Sequence, residues 1–105
     1  MHTSVMEFVG RAVQERELHH ATVLDVGSLD VNGSARPLFS GPYYGIDIQD
    51  GPGVDEVANI HDCGPLVAEY DVIVCCEMLE HDDLPWVSLG RMRACVRDNG
   101  LFAPN

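Results

Sequence analysis

The chain has 105 residues, 46% of them hydrophobic, which suits one small packed domain and excludes a disordered chain. Its 6 Lys and Arg residues against 17 Asp and Glu residues give a net charge of −11, which disfavours a nucleic-acid partner because Lys and Arg hold phosphates. Since no run approaches the ~20 apolar residues of a membrane span and no secretory signal precedes the domain, we expect a cytoplasmic location and no membrane partner.

The first half of the sequence predicts a helix followed by two strands. Apolar residues recur at helical spacing over 4–19, and a helix there would end near two consecutive histidines. Short apolar runs predict strands at 21–26 and 43–48. Between them, Pro37 leaves room only for a short helical piece around 34–39.

The second half predicts three more strands and a helix. A brief strand is expected at 55–60, and the strongest strand at 71–76, where a continuous apolar run indicates burial on both faces. A helix at 84–96 then leads, through an Asn-Gly turn, to a fifth strand at 101–103. Because the strands alternate with helices or short crossovers, we predict an α/β fold with a doubly wound, mostly parallel sheet of about five strands.

The strongest chemical signal is an acidic residue near the end of each of the first two strands, Asp25 and Asp47. Ligands of open parallel sheets bind outside the carboxyl ends of the strands, and Gly27 lets the backbone after the first strand turn tightly. Asp25 suits a cationic group and Asp47 suits the two hydroxyls of a ribose. Each acid taken alone is explained equally well as an acceptor of loop backbone N–H groups. Together they favour S-adenosylmethionine, which has a cationic end and a diol.

Four neighbouring residues complete the candidate cofactor site. Ser28 follows the first glycine, and Ile48 follows the second acid. After the third strand, Asp62 could accept from an adenine amino group while Cys63 packs on the ring. A turn-forming Asp explains the same position equally well. The first loop is not G-x-G-x-x-G, so a dinucleotide site is poorly supported.

Five segments resemble the class I S-adenosylmethionine-dependent methyltransferases, particularly the type 11 group that acts on small molecules. The segments are VLDVGSLDVNGS, YYGIDI, the HDCGP turn, YDVIVCCEMLEH and NGLF. They cover about 20–105 of the chain. The resemblance implies an enzyme in which Asp25 and Gly27 hold the methionine part of the cofactor, Asp47 the ribose and Asp62 the adenine. The implied acceptor is a small molecule of unidentified structure.

The chain departs from the pattern of this family in two ways. Leu29 and Val31 stand where further glycines usually follow the first one. Family members also usually complete a seven-stranded sheet with a final antiparallel pair, which is not found after the fifth strand here. We therefore expect 1–105 to form a single methyltransferase-like domain that is incomplete at its C-terminus. Its fifth strand would have an open edge through which two copies could associate.

A cluster of acids and one imidazole follows the strongest strand. Glu77, Glu80 and His81 would share one face of a helix that starts near 77. Such a set suits a divalent metal, and the E-x-x-E-H pattern resembles the metal site of some methyltransferases. The same acids also favour a helix N-terminus, so a metal is not the preferred interpretation. His81 is the candidate general base.

Two alternatives to a methyltransferase remain open. The domain could bind the cofactor, or only keep the fold, without a complete acceptor site and without turnover. A nucleotide-dependent oxidoreductase is the weaker alternative because the dinucleotide glycine motif is missing. Titration with S-adenosylmethionine, S-adenosylhomocysteine and NAD separates these possibilities.

Overall fold

The computed structural model of the chain describes residues 3–30, 33–62, 69–75 and 84–103. These residues form an α/β fold with five strands, two helices and two short 3₁₀ turns. In chain order the elements are α1 (Thr3–Glu15), β1 (Val23–Val26), the Arg36–Leu38 turn, β2 (Tyr43–Asp47), β3 (Glu56–Val57), the Ile60–Asp62 turn, β4 (Tyr70–Cys75), α2 (Pro85–Cys95) and β5 (Val96–Ala103). The predicted order of helices and strands is confirmed, and the differences concern where individual elements begin and end.

All strand pairs in the sheet are parallel, and the strand order is β3-β2-β1-β4-β5. The sheet begins with the central strand β1, and the chain adds β2 and β3 on one side before it crosses to add β4 and β5 on the other. Val26 at the end of β1 pairs with Ile46 on β2 and with Cys75 on β4. The carboxyl ends of these three strands therefore meet at one edge of the sheet.

Among the described residues, α1 covers one face of the sheet and α2 covers the other. The α1-side core combines Val9, Ala12 and Val13 with alternate strand residues, Val23, Val72, Val74, Leu101 and Ala103. The α2-side core combines Met92 and Cys95 with the intervening residues Leu24, Val26, Ile46, Ile73 and Cys75. Because successive strand residues point to opposite faces, every residue of β1 is buried. Neither helix of the described residues is long and apolar enough to cross a membrane.

The first helix ends at Glu15, earlier than the predicted end near the two histidines. Glu17 adopts a left-handed conformation with φ of 55°. The N–H of Leu18 then donates to the carbonyl of Val13 at 2.9 Å, and its side chain packs on the α1-side core. This is the Schellman type of helix end, in which a left-handed residue reverses the chain and an apolar residue covers the last turn. The tertiary contact of Leu18 thus ends the helix.

Replacing Glu17 by Gly is expected to raise the free energy of unfolding by about 0.5–1 kcal/mol. A side chain in the left-handed region costs energy that glycine avoids, and the extra freedom of glycine in the unfolded chain offsets part of this gain. Urea denaturation measures the change. Glu15→Gly is the matched control, because Glu15 is still helical and the same substitution should destabilise there. Destabilisation by both substitutions would contradict the prediction.

The fifth strand begins at Val96, directly after α2, whereas the sequence predicted a turn and then a strand at 101–103. Arg97 explains the earlier start, since its Nε lies 2.9 Å from Asp71 Oδ1 and its Nη2 donates to the Glu69 carbonyl at 2.6 Å. Gly100 lies at a shift in the β4–β5 register. A Cβ there would come within 2.8 Å of the Asp71 carbonyl oxygen, so glycine permits an irregularity inside the strand.

The third strand is also shorter than the prediction of 55–60, because it comprises Glu56–Val57 alone. The side-chain oxygen of Asn59 accepts a hydrogen bond from the N–H of His61 at 2.9 Å. An Asn that satisfies the backbone two residues later favours a turn over a continued strand. The chain therefore leaves the sheet and enters the Ile60–Asp62 turn.

Candidate functional site

The loop after β1 folds across the carboxyl end of β2. Gly27 has a φ of 78°, in the left-handed region that favours glycine. The N–H groups of Gly27 and Ser28 both donate to the carbonyl of Ile46, at 2.9 and 3.0 Å. The N–H of Asp30 donates to the carbonyl of Pro52 at 2.7 Å. The backbone of this loop is therefore held at the edge of the sheet where the two strands end.

Asp47 anchors the same loop through its side chain. Its Oδ2 accepts the N–H of Leu29 at 3.0 Å, and its Oδ1 accepts the N–H of Gln49 at 2.9 Å. These contacts match the alternative prediction for an acid at a strand end, in which the carboxylate accepts backbone N–H groups of the loop. A carboxylate has about four acceptor positions, so each oxygen can still accept another donor. Asp47 is half-buried and lies at the predicted edge of the sheet.

Asp25 has a different setting. It lies two residues after Val23, on the face of the sheet that α1 covers, and only 1% of it is exposed. Its Oδ2 accepts a hydrogen bond from the hydroxyl of Tyr43 at 2.6 Å. The carboxylate therefore lies at the hydroxyl end of the Tyr43 side chain. Its contact with the methionine part of a cofactor remains a prediction.

Tyr43 is held in turn by an ion pair, which we call the Arg36–Asp55 clamp. The Arg36 guanidinium carbon lies 4.5 Å from the centre of the Tyr43 ring, a cation–π geometry. Arg36 Nη2 donates to Asp55 Oδ2 at 2.7 Å, and the N–H of Gly45 donates to the same oxygen at 2.7 Å. The clamp thus joins the loop before β2 to the loop before β3.

Tyr43, Arg36 and Asp55 are not among the site residues that the sequence predicts. Tyr43 begins the YYGID run and has a hydroxyl that needs a partner when its ring is packed. That signal could have pointed to a contact with a buried acid. The pairing of Arg36 with Asp55 has no sequence signal, because the two residues are 19 positions apart in irregular segments.

The contribution of the clamp to the free energy of unfolding is expected to depend on pH. The Gly45 N–H and then the Arg36 guanidinium hold the pKa of Asp55 below its ordinary value of 3.8. A lowered pKa in the folded state stabilises the fold above pH 3.8, and this contribution disappears as the pH falls through the folded-state value. Because the two side chains are 40% and 39% exposed, solvent screening keeps the contribution below about 1 kcal/mol.

Asp55→Asn is expected to lower the free energy of unfolding at pH 7 by a few tenths to about 1 kcal/mol. The difference from the unmodified chain should shrink as the pH falls through the lowered pKa of Asp55, because its carboxyl then becomes neutral and loses the ion pair that the variant never forms. Urea unfolding at several pH values measures this. Asp50→Asn is the matched control, since Asp50 accepts only the N–H of Gly51 in the described structure. A difference that is the same at pH 7 and pH 2.5 would contradict the prediction.

Ser28 is wedged between the first loop and β2. Its Oγ is buried and has no hydrogen-bond partner among the described residues. A Cβ on Gly45 would come within 2.5 Å of this oxygen and within 2.4 Å of the Gly53 carbonyl oxygen. Glycine at 45 therefore allows the loop to approach the strand closely. Ile48, by contrast, is 66% exposed and follows Asp47 at the carboxyl end of β2.

The remaining predicted residues lie largely outside the described part of the chain. Asp62 ends the Ile60–Asp62 turn, and its side chain is not described. Cys63, Glu77, Glu80 and His81 all lie outside the described residues. Within the described ranges no three His, Cys, Asp or Glu side chains gather as metal ligands would. Because Glu77, Glu80 and His81 lie outside these ranges, the alternative that they bind a metal is not tested.

A contact that the sequence did not predict ties the segment before Asp62 to α2. His61 Nε2 lies 2.6 Å from the Oγ of Ser88, which is fully buried. Ile60 is buried in the α2-side core, so the Ile60–Asp62 turn is held by one polar and one apolar contact. The position of the chain at Asp62 is thereby set by α2.

The Gly27 loop, Asp47 and the Tyr43–Asp25 pair thus gather where β1 and β2 meet. The sequence matches no protein-family model, and no curated protein matches it at a significant level. The chemistry of its own residues is the basis on which a function can be assigned.

Proposed function

We propose that the chain binds S-adenosylmethionine and transfers its methyl group to a small-molecule acceptor. The observation that carries the proposal is Asp47 beside the Gly27 loop, at the carboxyl edge of a parallel sheet. The strand order of this sheet reverses between β1 and β4. Ligands of open α/β sheets bind outside the carboxyl ends of the strands at such a switch point. The resemblance of five segments to class I methyltransferases supports the same assignment.

The residues at this edge fit the ribose part of the cofactor. Each oxygen of Asp47 accepts one backbone N–H and keeps a further acceptor position for a ribose hydroxyl. The left-handed Gly27 allows the loop to pass close to a ligand. Asp25 is buried and accepts a hydrogen bond from the Tyr43 hydroxyl, so its proposed role depends on a movement of Tyr43. We assign the ribose to Asp47 and, by resemblance, the adenine to Asp62 and Cys63.

The bound cofactor would supply a methyl group activated by a sulfonium. The protein then has to hold the acceptor in line with the methyl carbon and the sulfur. Alignment of this kind lowers a barrier by on the order of 7–11 kcal/mol. We propose His81 as the base that takes a proton from the acceptor. Glu77, Glu80 and His81 together are the alternative, as ligands of a divalent metal.

A second candidate is a domain that binds the cofactor without turnover. Only one edge of β5 is paired within the described residues, where it lies against β4. The two candidates share the cofactor site and differ only in the acceptor site, so binding measurements alone do not separate them.

Calorimetric titration tests the proposal. We expect S-adenosylmethionine and S-adenosylhomocysteine to bind and NAD to bind more weakly, because the glycine motif for a pyrophosphate is absent from the first loop. NAD that binds as tightly as S-adenosylhomocysteine would overturn the assignment. Release of S-adenosylhomocysteine when mixed small-molecule extracts are added would then identify an enzyme rather than a binding domain.

A further inference from the structure

A groove lies between α1 and the Arg36–Leu38 turn, away from the edge that Asp47 occupies. It has a volume of about 390 Å³ and is largely open to solvent. Its lining residues are Glu7, Gly10, Arg11, Val13, Gln14, His19 and Leu38. The carbonyl of His19 accepts the N–H groups of Ser40 and Gly41, just before β2 begins. The groove is therefore at the amino end of β2, and Asp47 is at the opposite end of that strand.

The polar side chains of the groove have no partners in the part of the chain that the structure describes. Glu7, Arg11 and Gln14 lie on one side of α1, and His19 follows the end of the helix. None of the four side chains forms a hydrogen bond or ion pair with a described residue. The groove thus holds a carboxylate, a guanidinium, an amide and an imidazole that are free to contact a ligand.

Gly10 opens the middle of this surface. It lies inside α1, where glycine weakens a helix relative to alanine. A Cβ at this position would meet no atom within 4 Å, so the space above the backbone is empty. Val13 is almost fully buried below, and Leu38 is half-buried on the opposite wall. The missing side chain leaves a notch bordered by Glu7, Val13 and Gln14, the residues three or four positions away on the helix.

We propose that this groove binds a small zwitterion of the amino-acid class that carries an apolar side chain. The Arg11 guanidinium presents the planar donors that recognise a carboxylate. Glu7, one helical turn away, is placed for the ammonium group, and half-buried Leu38, with the open space over Gly10, would take the apolar part. A volume of about 390 Å³ is within the range of small-molecule sites. A net charge of −11 repels dianions, whereas a zwitterion carries no net charge.

Nuclear magnetic resonance titration of the full chain tests the proposal with three probes. L-phenylalanine carries both charges, 3-phenylpropionate only the carboxylate, and phenethylamine only the ammonium. L-phenylalanine should shift the amide signals of 7–19 and of Leu38, and the two singly charged probes should bind about tenfold or more weakly, since each loses one charged contact.

Two variants and a control locate the site. Gly10→Leu fills the notch with a good helix former, so α1 is kept while the space is lost. Arg11→Gln removes the guanidinium. Each should weaken L-phenylalanine binding by about tenfold or more. Arg93→Gln, the same change at an exposed position of α2, should leave it unchanged.

Several outcomes would overturn the inference. One is the absence of shifts with L-phenylalanine at millimolar concentration. Another is equal affinity for all three probes, which would exclude recognition of both charges. Undiminished binding of L-phenylalanine to the Gly10→Leu variant would exclude the notch as its binding site. Shifts confined to 27–30 and Asp47 would assign the probe to the opposite end of β2 and leave the groove without a ligand.

Discussion

Replacing Asp47 by Ala is expected to weaken the binding of S-adenosylhomocysteine by roughly 10- to 100-fold. Loss of hydrogen bonds to a charged group costs about 1.5–3 kcal/mol, and a ribose would lose both hydroxyl contacts at once. Asp47→Asn should weaken binding less, because one carbonyl oxygen remains. Calorimetry on each purified variant gives the affinities directly.

The structural role of Asp47 makes a stability control necessary. Its carboxylate holds the N–H groups of Leu29 and Gln49, so its removal loosens the first loop as well as the cofactor site. The thermal unfolding of each variant should therefore be measured, and each titration should be carried out at a temperature where the variant is folded. Asp50→Ala is the matched control, since Asp50 is an exposed acid three residues further along. Unchanged affinity in a folded Asp47→Ala variant would remove Asp47 from the site and leave it as a loop anchor.

The second prediction with a large expected effect concerns self-association through the edge of β5 that no described strand covers. The strand pairs with β4 on one side, and no described strand pairs with its other side. Leu101 and Ala103 are buried and Phe102 is half-buried, so the edge exposes backbone donors and acceptors more than apolar side chains. Such an edge is a template for a strand of another copy. We expect either self-association that rises with concentration or a frayed C-terminal strand.

Light scattering and amide hydrogen exchange distinguish these two results.

Asp98 is an exposed charge on β5, and charges on an edge strand oppose pairing with another chain. Asp98→Val should therefore increase association about several-fold, whereas Asp50→Val, the same change on an exposed loop, should not. A monodisperse monomer with slow exchange at 101–103 would contradict both expected results. Equal association of the two variants would show that any contact lies elsewhere.

The sequence by itself determined the order of the elements and the parallel sheet. The run Val72–Cys75 is apolar at every position, and each of its residues is buried. Burial on both faces is a property of central parallel strands, so a local pattern was sufficient to predict β4. The acids near the ends of β1 and β2 were also visible in the sequence, because a strand end is marked by the glycines and prolines that follow it.

The tertiary structure alone decided which partners the candidate residues have. Asp25 and Asp47 look alike in the sequence, yet one accepts a hydrogen bond from the Tyr43 hydroxyl and the other holds the backbone of the first loop. Both contacts join residues 18 positions apart, and hydrophobic periodicity carries no information on such pairs. The early end of α1 depends in the same way on Leu18, which packs on a core that strand residues help to form. Local pattern therefore predicts where strands lie, while packing decides what their side chains contact.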